Sequence, residues 1–165
     1  MKQLITFILS ILFSTLLFGQ SEIIGKYQNH FGELIELKSD STFHHKSSFD
    51  LSSSWTIGKW NFSNDTLYLK TELVMDTLSK ITIENRIIKD SLVLSSDPKS
   101  NRIEINEYAI NSISGGGQNR IKVPEKLFFK KEEIYLINEN GELDKRKIEQ
   151  FGTRKKYKTS FKKLK

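Results

Sequence analysis

The chain has 165 residues and a formal net charge of +6, with 28% charged residues, 11% aromatic residues and no cysteine. This length is typical of one domain, and mixed charges together with eleven phenylalanines are not the composition of a disordered chain. The lack of cysteine excludes disulfide scaffolds, thiolate metal sites, thiol nucleophiles and lipid attachment through an N-terminal cysteine.

The first twenty residues have the pattern of an export signal. Lys2 makes the start positive, and residues 4–18 form an uncharged, mainly apolar run. A membrane-spanning helix needs roughly twenty such residues, whereas the core of a signal peptide needs about 7–15. We therefore expect residues 1–19 to be a cleaved secretory signal, with an uncleaved anchor or a buried helix as alternatives. Residues 20–165 would then form a single periplasmic or extracellular domain that is not a lipoprotein.

Apolar residues alternate along the rest of the chain. The clearest run is 81–87, where Ile81, Ile83 and Ile87 share one face. The same two-residue step recurs at Leu67/Leu69, Leu92/Leu94, Ile103/Ile105, Leu127/Phe129 and Ile134/Leu136. A period of two predicts half-buried strands. Short turn clusters lie between them at 39–41, 63–65, 89–91 and 139–141, and Asn140-Gly141 is the strongest hairpin signal.

Short strands joined by tight turns predict an antiparallel sheet, because parallel strands need long crossovers. We expect about nine or ten strands and no long amphipathic helix. A twisted sheet of this size usually closes on itself. The predicted fold class is therefore all-β, an up-and-down meander curled into a barrel, with a two-sheet β-sandwich as the alternative. The glycine-rich stretch 111–119 is expected to be a flexible loop, because it lacks the Lys-Ser/Thr of a phosphate-binding loop.

Four short motifs carry a family resemblance: Gly25-Lys26-Tyr27, Leu37 and Asp40 with Thr42-Phe43, Gly58-Lys59-Trp60, and the run from Asp65 to Leu69. Together they resemble small lipocalin-like proteins exported by bacteria of the Bacteroidetes type. The resemblance implies a lipocalin-like barrel that holds an apolar ligand, and it implies no reaction. In lipocalins a tryptophan of the first strand plugs the base of the barrel; here Tyr27 stands at that place.

The residue types that carry catalysis or bind metals form no recognisable motif. His44 and His45 are adjacent and would point to opposite faces of a strand. A metal site from His30, His45 and Asp50 would need distant segments to converge, so we expect surface or rim histidines instead. No Gly-x-Ser-x-Gly marks a nucleophile, and Glu33 and Glu36 are expected on solvated strand faces or in turns. We therefore expect no metal, no cofactor and no enzymatic activity.

Aromatic residues of equal strand parity are the best candidates for a binding site. Trp60 and Phe62 would share a face beside Gly58, and His45 would lie on the face of Phe43. An eight-stranded barrel can hold one small ligand. The predicted ligand-binding residues are Tyr27, Phe43, His45, Trp60 and Phe62, with His45 as the polar group that orients the ligand. Ordinary core packing of these residues is the alternative.

Two functions follow from this pattern. The first is an exported, non-enzymatic protein that binds an apolar or amphipathic small molecule in the barrel. The second is a structural or interaction protein of the cell envelope with a filled core and no small ligand. In either case we expect a monomer.

The C-terminal segment concentrates positive charge. Arg154 to Lys165 contains seven basic residues and no acidic residue. Residues 157–161 fit a closing strand, with a short amphipathic helix as the alternative, and the end is expected to be a Lys-rich tail. Such a tail either aids solubility or adsorbs to an anionic envelope surface, and we expect no nucleic acid partner. Deleting residues 160–165 should then leave the fold intact.

Overall fold

The computed structural model describes residues 22–79 and 90–165. These form thirteen strands and one short helix: β1 Gly25–Gln28, β2 Glu33–Leu37, β3 Thr42–Phe49, β4 Ser52–Ser63, β5 Thr66–Glu72, β6 Met75–Ser79, β7 Ser91–Leu94, β8 Arg102–Glu104, α1 Ile105–Ile113, β9 Lys126–Lys130, β10 Glu133–Leu136, β11 Lys147–Glu149, β12 Lys156–Lys158 and β13 Phe161–Lys163. The expected signal, 1–19, and the run 81–87 lie outside the described residues.

Eight strands form a closed antiparallel barrel. Their order around the barrel is β1, β2, β3, β4, β5, β9, β10 and β13, and β13 pairs with β1 to close it. The all-β, up-and-down barrel predicted from the period-two pattern is confirmed, and the sandwich alternative is not formed. Five further strands build two small sheets outside the barrel, β6–β8 and β11–β12, so the described strands outnumber the nine or ten that we expected.

The two ends of the barrel differ in the length of their connections. At one end, here called the short-turn end, the connections β2–β3, β4–β5 and β9–β10 are tight. Positive φ angles at Ser41, Asn64, Asp65, Lys131 and Glu132 make these turns. At the other end, here called the long-loop end, lie the β1–β2 and β3–β4 turns and the long connections β5–β9 and β10–β13. Loop length is thus concentrated at one end of the barrel.

Alternate residues of the barrel strands build one apolar core. Its buried members are Ile23, Tyr27, Ile35, Leu37, Phe43, Trp60, Leu67, Leu69, Val123, Leu127, Phe129, Ile134 and Phe161. Every barrel strand contributes to this set, because side chains two apart point to the same face. Burial of these residues supplies the main driving force for folding in a chain that has no disulfide.

The connection from β5 to β9 differs from the sequence-based expectation at two places. The predicted strand at Ile103/Ile105 ends at Glu104, and α1 begins at Ile105. The glycine-rich stretch is not a free loop: the N–H groups of Ser53 and Trp55 donate to the carbonyls of Gly115 and Gly117 at 3.0 and 3.1 Å. At Gly115 a Cβ would lie 2.6 Å from the Leu51 carbonyl oxygen, so glycine permits this close backbone pairing.

The C-terminal segment is part of the fold and does not end in a free tail. β12 pairs with β11, and β13 lies between β1 and β10 in the barrel. Thr159, Ser160 and Phe161 are buried. A strand that closes the barrel, predicted at residues 157–161, is therefore present, but it lies at residues 161–163. Among the described residues, no helix has the length and apolar character needed to span a membrane.

Candidate functional site

The five predicted ligand-binding residues all lie on the inner face of the barrel. Tyr27 comes from β1, Phe43 and His45 from β3, and Trp60 and Phe62 from β4. Phe62 is half-buried, and the other four are at most 5% exposed. His44, by contrast, faces outward, as the alternation of β3 predicts. The structure therefore brings the predicted set together on one continuous inner wall.

The aromatic members of this wall pack mainly against the chain itself. Phe129 meets the rings of Tyr27 and Phe62 edge-on, at centroid distances of 6.3 and 5.8 Å. The Tyr27 hydroxyl donates to the Ile23 carbonyl at 2.7 Å. The indole N–H of Trp60 donates to the carbonyl of Lys38 at 3.0 Å. Because their polar atoms already have partners, Tyr27 and Trp60 would offer a ligand only apolar surface.

The aromatic ring that packs against Gly58 is Phe43 and not the expected Trp60. The sequence placed Trp60 beside this glycine, but the cross-strand partner of Gly58 is Phe43. A Cβ at Gly58 would lie 2.8 Å from the Phe43 ring. The absence of a side chain at Gly58 thus makes room for Phe43. Trp60 lies two residues further along β4, where it pairs with Leu69 of β5.

The inner face becomes polar toward the long-loop end. Glu33, Ser47, Ser54 and Thr56 occupy the inner positions of β2, β3 and β4 next to His45. Ser47 pairs with both Glu33 and Ser54, and Thr56 pairs with His45. The sequence analysis found only His45 in this group. Strand alternation could have found two more members. Ser54 and Thr56 are an even number of residues from Trp60 and therefore share its face of β4.

Glu33 and His45 form the central contact of this polar group. The His45 Nε2 and the Glu33 Oε2 are 3.0 Å apart, and Asn29 donates to the other carboxylate oxygen at 3.2 Å. Burial alone would raise the pKa of the Glu33 carboxyl, but the hydrogen bonds from His45 and Asn29 outweigh burial and hold that pKa below its ordinary value. Glu33 takes an inner position at the barrel end but keeps 29% of its side chain exposed, whereas Glu36, 28% exposed, faces outward and pairs with Lys26 at 3.5 Å.

Two buried polar atoms beside this contact lack a partner within residues 22–79 and 90–165: the His45 Nδ1 and the Thr56 Oγ1. Both side chains are 1% exposed. If Nε2 donates to the Glu33 carboxylate, the Nδ1 of a neutral imidazole is an acceptor, and the threonine hydroxyl can donate or accept. The pair therefore presents hydrogen-bonding capacity that the described chain does not use.

Trp60 lines a pocket of about 770 Å³ between β5 and residues 119–126. Tyr27, Phe43, His45 and Phe62 line neither this pocket nor the clefts beside β12, α1 and β10. No group of three or more His, Asp or Glu side chains in the described ranges could hold a metal ion. His30 instead stacks on Tyr157, with ring centroids 3.5 Å apart.

Comparison with protein-family models, with curated proteins and with solved structures gave no match. The resemblance to exported lipocalin-like proteins thus remains a prediction from four short motifs, and the barrel alone defines the fold.

Proposed function

We propose that this is an exported, non-enzymatic binding protein that holds a small apolar or amphipathic molecule in its barrel. The polar group of that molecule would bind His45 and Thr56. The observation that carries the proposal is the pair of unpartnered atoms, His45 Nδ1 and Thr56 Oγ1, at directly paired positions on the inner face.

The energetic argument concerns buried polar groups. A buried donor or acceptor without a partner costs about 1–3 kcal/mol, and such atoms are uncommon in folded proteins. A hydroxyl or amide group placed between the two side chains can donate to Nδ1 and pair with the threonine hydroxyl. Binding such a group offsets the cost at both positions, which favours a ligand with one polar end.

The apolar part of the ligand would lie along the aromatic wall. Phe43, Trp60 and Phe62 continue the inner face from His45 toward the short-turn end. Tyr27 lies level with His45, since both pair with Ile35. Apolar walls with a few fixed polar groups are typical of small-molecule sites. The ligand would enter from the long-loop end, where the polar side chains lie.

The geometry at His45 favours binding over catalysis. In hydrolases a nucleophilic hydroxyl is hydrogen-bonded to the base. Within the described chain the Nδ1 of His45 makes no such bond, and its Nε2 is engaged by Glu33. The export part of the proposal is supported by the pattern of residues 1–19, and an exported chain would lie in the periplasm or the medium.

A structural or interaction protein of the envelope with a filled core is the second candidate. The observation that favours it is the tight packing of Tyr27, Phe43 and Trp60, which are at most 5% exposed. In this case an ordered water would serve the two unpartnered atoms.

Native mass spectrometry of protein purified from its own host tests the proposal. We expect a retained non-protein mass on the wild type that is lost from Thr56→Val, which removes the hydroxyl. The control Ser63→Ala, at an exposed position at the far end of β4, should keep that mass. A wild-type spectrum with the protein mass alone would favour the filled-core candidate.

Export is tested by the intact mass of protein from the envelope and medium fractions. The expected mature chain starts after Gly19. Recovery of the full chain with Met1 attached would contradict a cleaved signal.

A further inference from the structure

A pocket of about 240 Å³ lies on the outer face of the barrel, where β10 ends. It is lined by Lys130 of β9, Tyr135 of β10, the segment 143–145, Lys158 of β12 and Ser160. None of the five predicted ligand-binding residues lines it. Sites for drug-sized ligands span about 300–1,000 Å³, so this pocket is the size for a small ion or a single polar group.

The barrel residues that line the pocket share one surface. Lys130 and Tyr135 each lie one residue from a buried core position, and Ser160 immediately precedes the core residue Phe161. Alternation therefore points these three side chains away from the core. β10 and β13 pair Ile134 with Phe161, and this register continued by one residue sets Tyr135 beside Ser160.

The segment 143–145 covers this surface and buries a hydroxyl. The Asp144 N–H donates to the Leu136 carbonyl at 2.8 Å, which holds the segment against the end of β10. Ser160 is 5% exposed, and its Oγ has no hydrogen-bond partner in the part of the chain that the structure describes. A buried hydroxyl without a partner is costly, and a ligand oxygen that accepts from it would remove that cost.

Positive charge dominates the lining. Lys130, Lys145 and Lys158 line the pocket, and none of the three has an ion-pair partner among the described residues. The acidic residue of the lining is Asp144, and the Arg146 guanidinium donates to both of its carboxylate oxygens at 2.9 and 2.8 Å. Because Arg146 compensates this charge, the three lysines leave the pocket positive.

Glu133 also bears on this charge, since it is the cross-strand partner of Lys130. Its carboxylate accepts a hydrogen bond from the Tyr135 hydroxyl and lies 3.9 Å from the Nζ of Lys162. The Lys162 ammonium thus balances Glu133, and the lining lysines remain in excess.

Asp144 adds an acceptor that selects among anions. A carboxylate has about four lone-pair sites, and Arg146 uses three of them through its N–H, Nε and Nη2 donors. The remaining site can accept from a hydroxyl of the ligand. Hydrogen phosphate carries a P–OH group at neutral pH, whereas sulfate carries no proton.

We infer that this pocket binds hydrogen phosphate. The phosphate oxygens lie between Lys130, Lys145 and Lys158. The Ser160 hydroxyl donates to one of these oxygens, and the P–OH group donates to Asp144. This site lies on the outer face and is independent of the barrel ligand.

Isothermal titration calorimetry of the full mature chain tests the site with inorganic phosphate, and sulfate is the matched oxyanion. We expect one phosphate per chain, bound roughly tenfold more tightly than sulfate, because only phosphate can donate to the Asp144 carboxylate. Both titrations are made at the same ionic strength, since salt screens such contacts. Equal affinity for the two anions, or no saturable binding below roughly 10 mM phosphate, would overturn the inference.

Variants of two lining residues locate the site. Ser160→Ala and Lys158→Gln should each weaken phosphate binding roughly tenfold. Ser160→Ala should keep the wild-type thermal midpoint without phosphate, because the deleted hydroxyl has no described partner. The matched control Lys156→Gln lies two residues before Lys158 on β12 and does not line this pocket, so it should bind like the wild type. An equal loss in Lys156→Gln would show that phosphate responds only to the net charge of the basic segment, and would contradict the inference.

A phospholipid headgroup is the other source of a phosphate group. The phosphodiester of phosphatidylglycerol carries no P–OH, so vesicles of this lipid should not displace inorganic phosphate from the protein. If they displace it in a salt-sensitive way, the lysines bind a membrane surface and the inference is wrong.

Discussion

His45 and Thr56 face each other across the β3–β4 pair, and each is 1% exposed. They lie where the inner face of the barrel changes from aromatic to polar, next to Glu33, which bonds the other nitrogen of the imidazole. The His45 Nδ1 and the Thr56 Oγ1 have no hydrogen-bond partner in residues 22–79 and 90–165.

Removing the Thr56 hydroxyl should not weaken the ligand-free protein. Thr56→Val deletes a buried polar atom without a described partner, so the free energy of unfolding should stay unchanged or rise by about 1 kcal/mol. Ser54→Ala is the matched control, because the Ser54 Oγ accepts a hydrogen bond from the Ile121 N–H at 3.0 Å. That variant should lose about 1–2 kcal/mol. Urea denaturation of refolded protein measures both, and a clear loss in Thr56→Val would show that its hydroxyl has a partner.

The Glu33 carboxylate should make stability depend on acid pH. Its pKa is lowered in the folded protein, so its contribution is full above the ordinary value of 4.5 and is lost as pH falls through the lower, folded value. In Glu33→Gln this acid-side loss should shrink. Urea denaturation between about pH 7 and about pH 3 measures it. The outward-facing Glu36→Gln, which breaks only an exposed ion pair, should keep the wild-type profile; identical profiles for all three proteins would refute the role of Glu33.

A methyl group at Gly58 should disturb the core. Gly58→Ala places a Cβ against the Phe43 ring and the Lys70 carbonyl, and overpacking of this kind costs about 1–3 kcal/mol. Gly116→Ala is the control, since its Cβ would meet only the Ser53 hydroxyl at 3.2 Å. Denaturant midpoints of the two variants should differ clearly, with Gly58→Ala the lower.

Trp60 should be a major contributor to stability. Its ring is 5% exposed and pairs with Leu69 across β4 and β5, so Trp60→Ala should cost about 3–5 kcal/mol. In a Trp55→Phe background, the emission of Trp60 should be blue-shifted relative to free tryptophan. If the free energy of unfolding fell by less than about 1 kcal/mol, the Trp60 ring would not be a major contributor to stability.

Deleting residues 160–165 should open the barrel, contrary to what the sequence suggested for a free tail. The deletion removes β13 and leaves β1 and β10 as unpaired edges. Circular dichroism should show loss of the cooperative thermal transition. Deletion of the exposed Lys165 alone should preserve it, and a stable fold after the longer deletion would mean that the barrel closes without β13.

Much of the fold was predictable because it depends on local pattern. Alternation predicted that Phe43, Trp60 and Phe62 face the interior, and turn residues such as Asn140-Gly141 marked a real hairpin, in which Ile137 bridges Leu143. The helix at Ile105 was missed because Ile103 and Ile105 also fit a strand. The backbone pairing of the glycine-rich stretch was missed because it joins Gly115 and Gly117 to residues more than sixty positions earlier.

The sequence alone determined that this chain forms strands with one dry face and that those strands pair antiparallel, because side-chain period and turn chemistry act between near neighbours. Only the tertiary structure decided which polar groups meet. Register across β2, β3 and β4 brought Glu33, His45 and Thr56 together, and the return of the C-terminal segment placed Lys147 opposite Lys158 and Tyr157 against His30. Such contacts depend on barrel closure and register between distant segments, which no local pattern specifies.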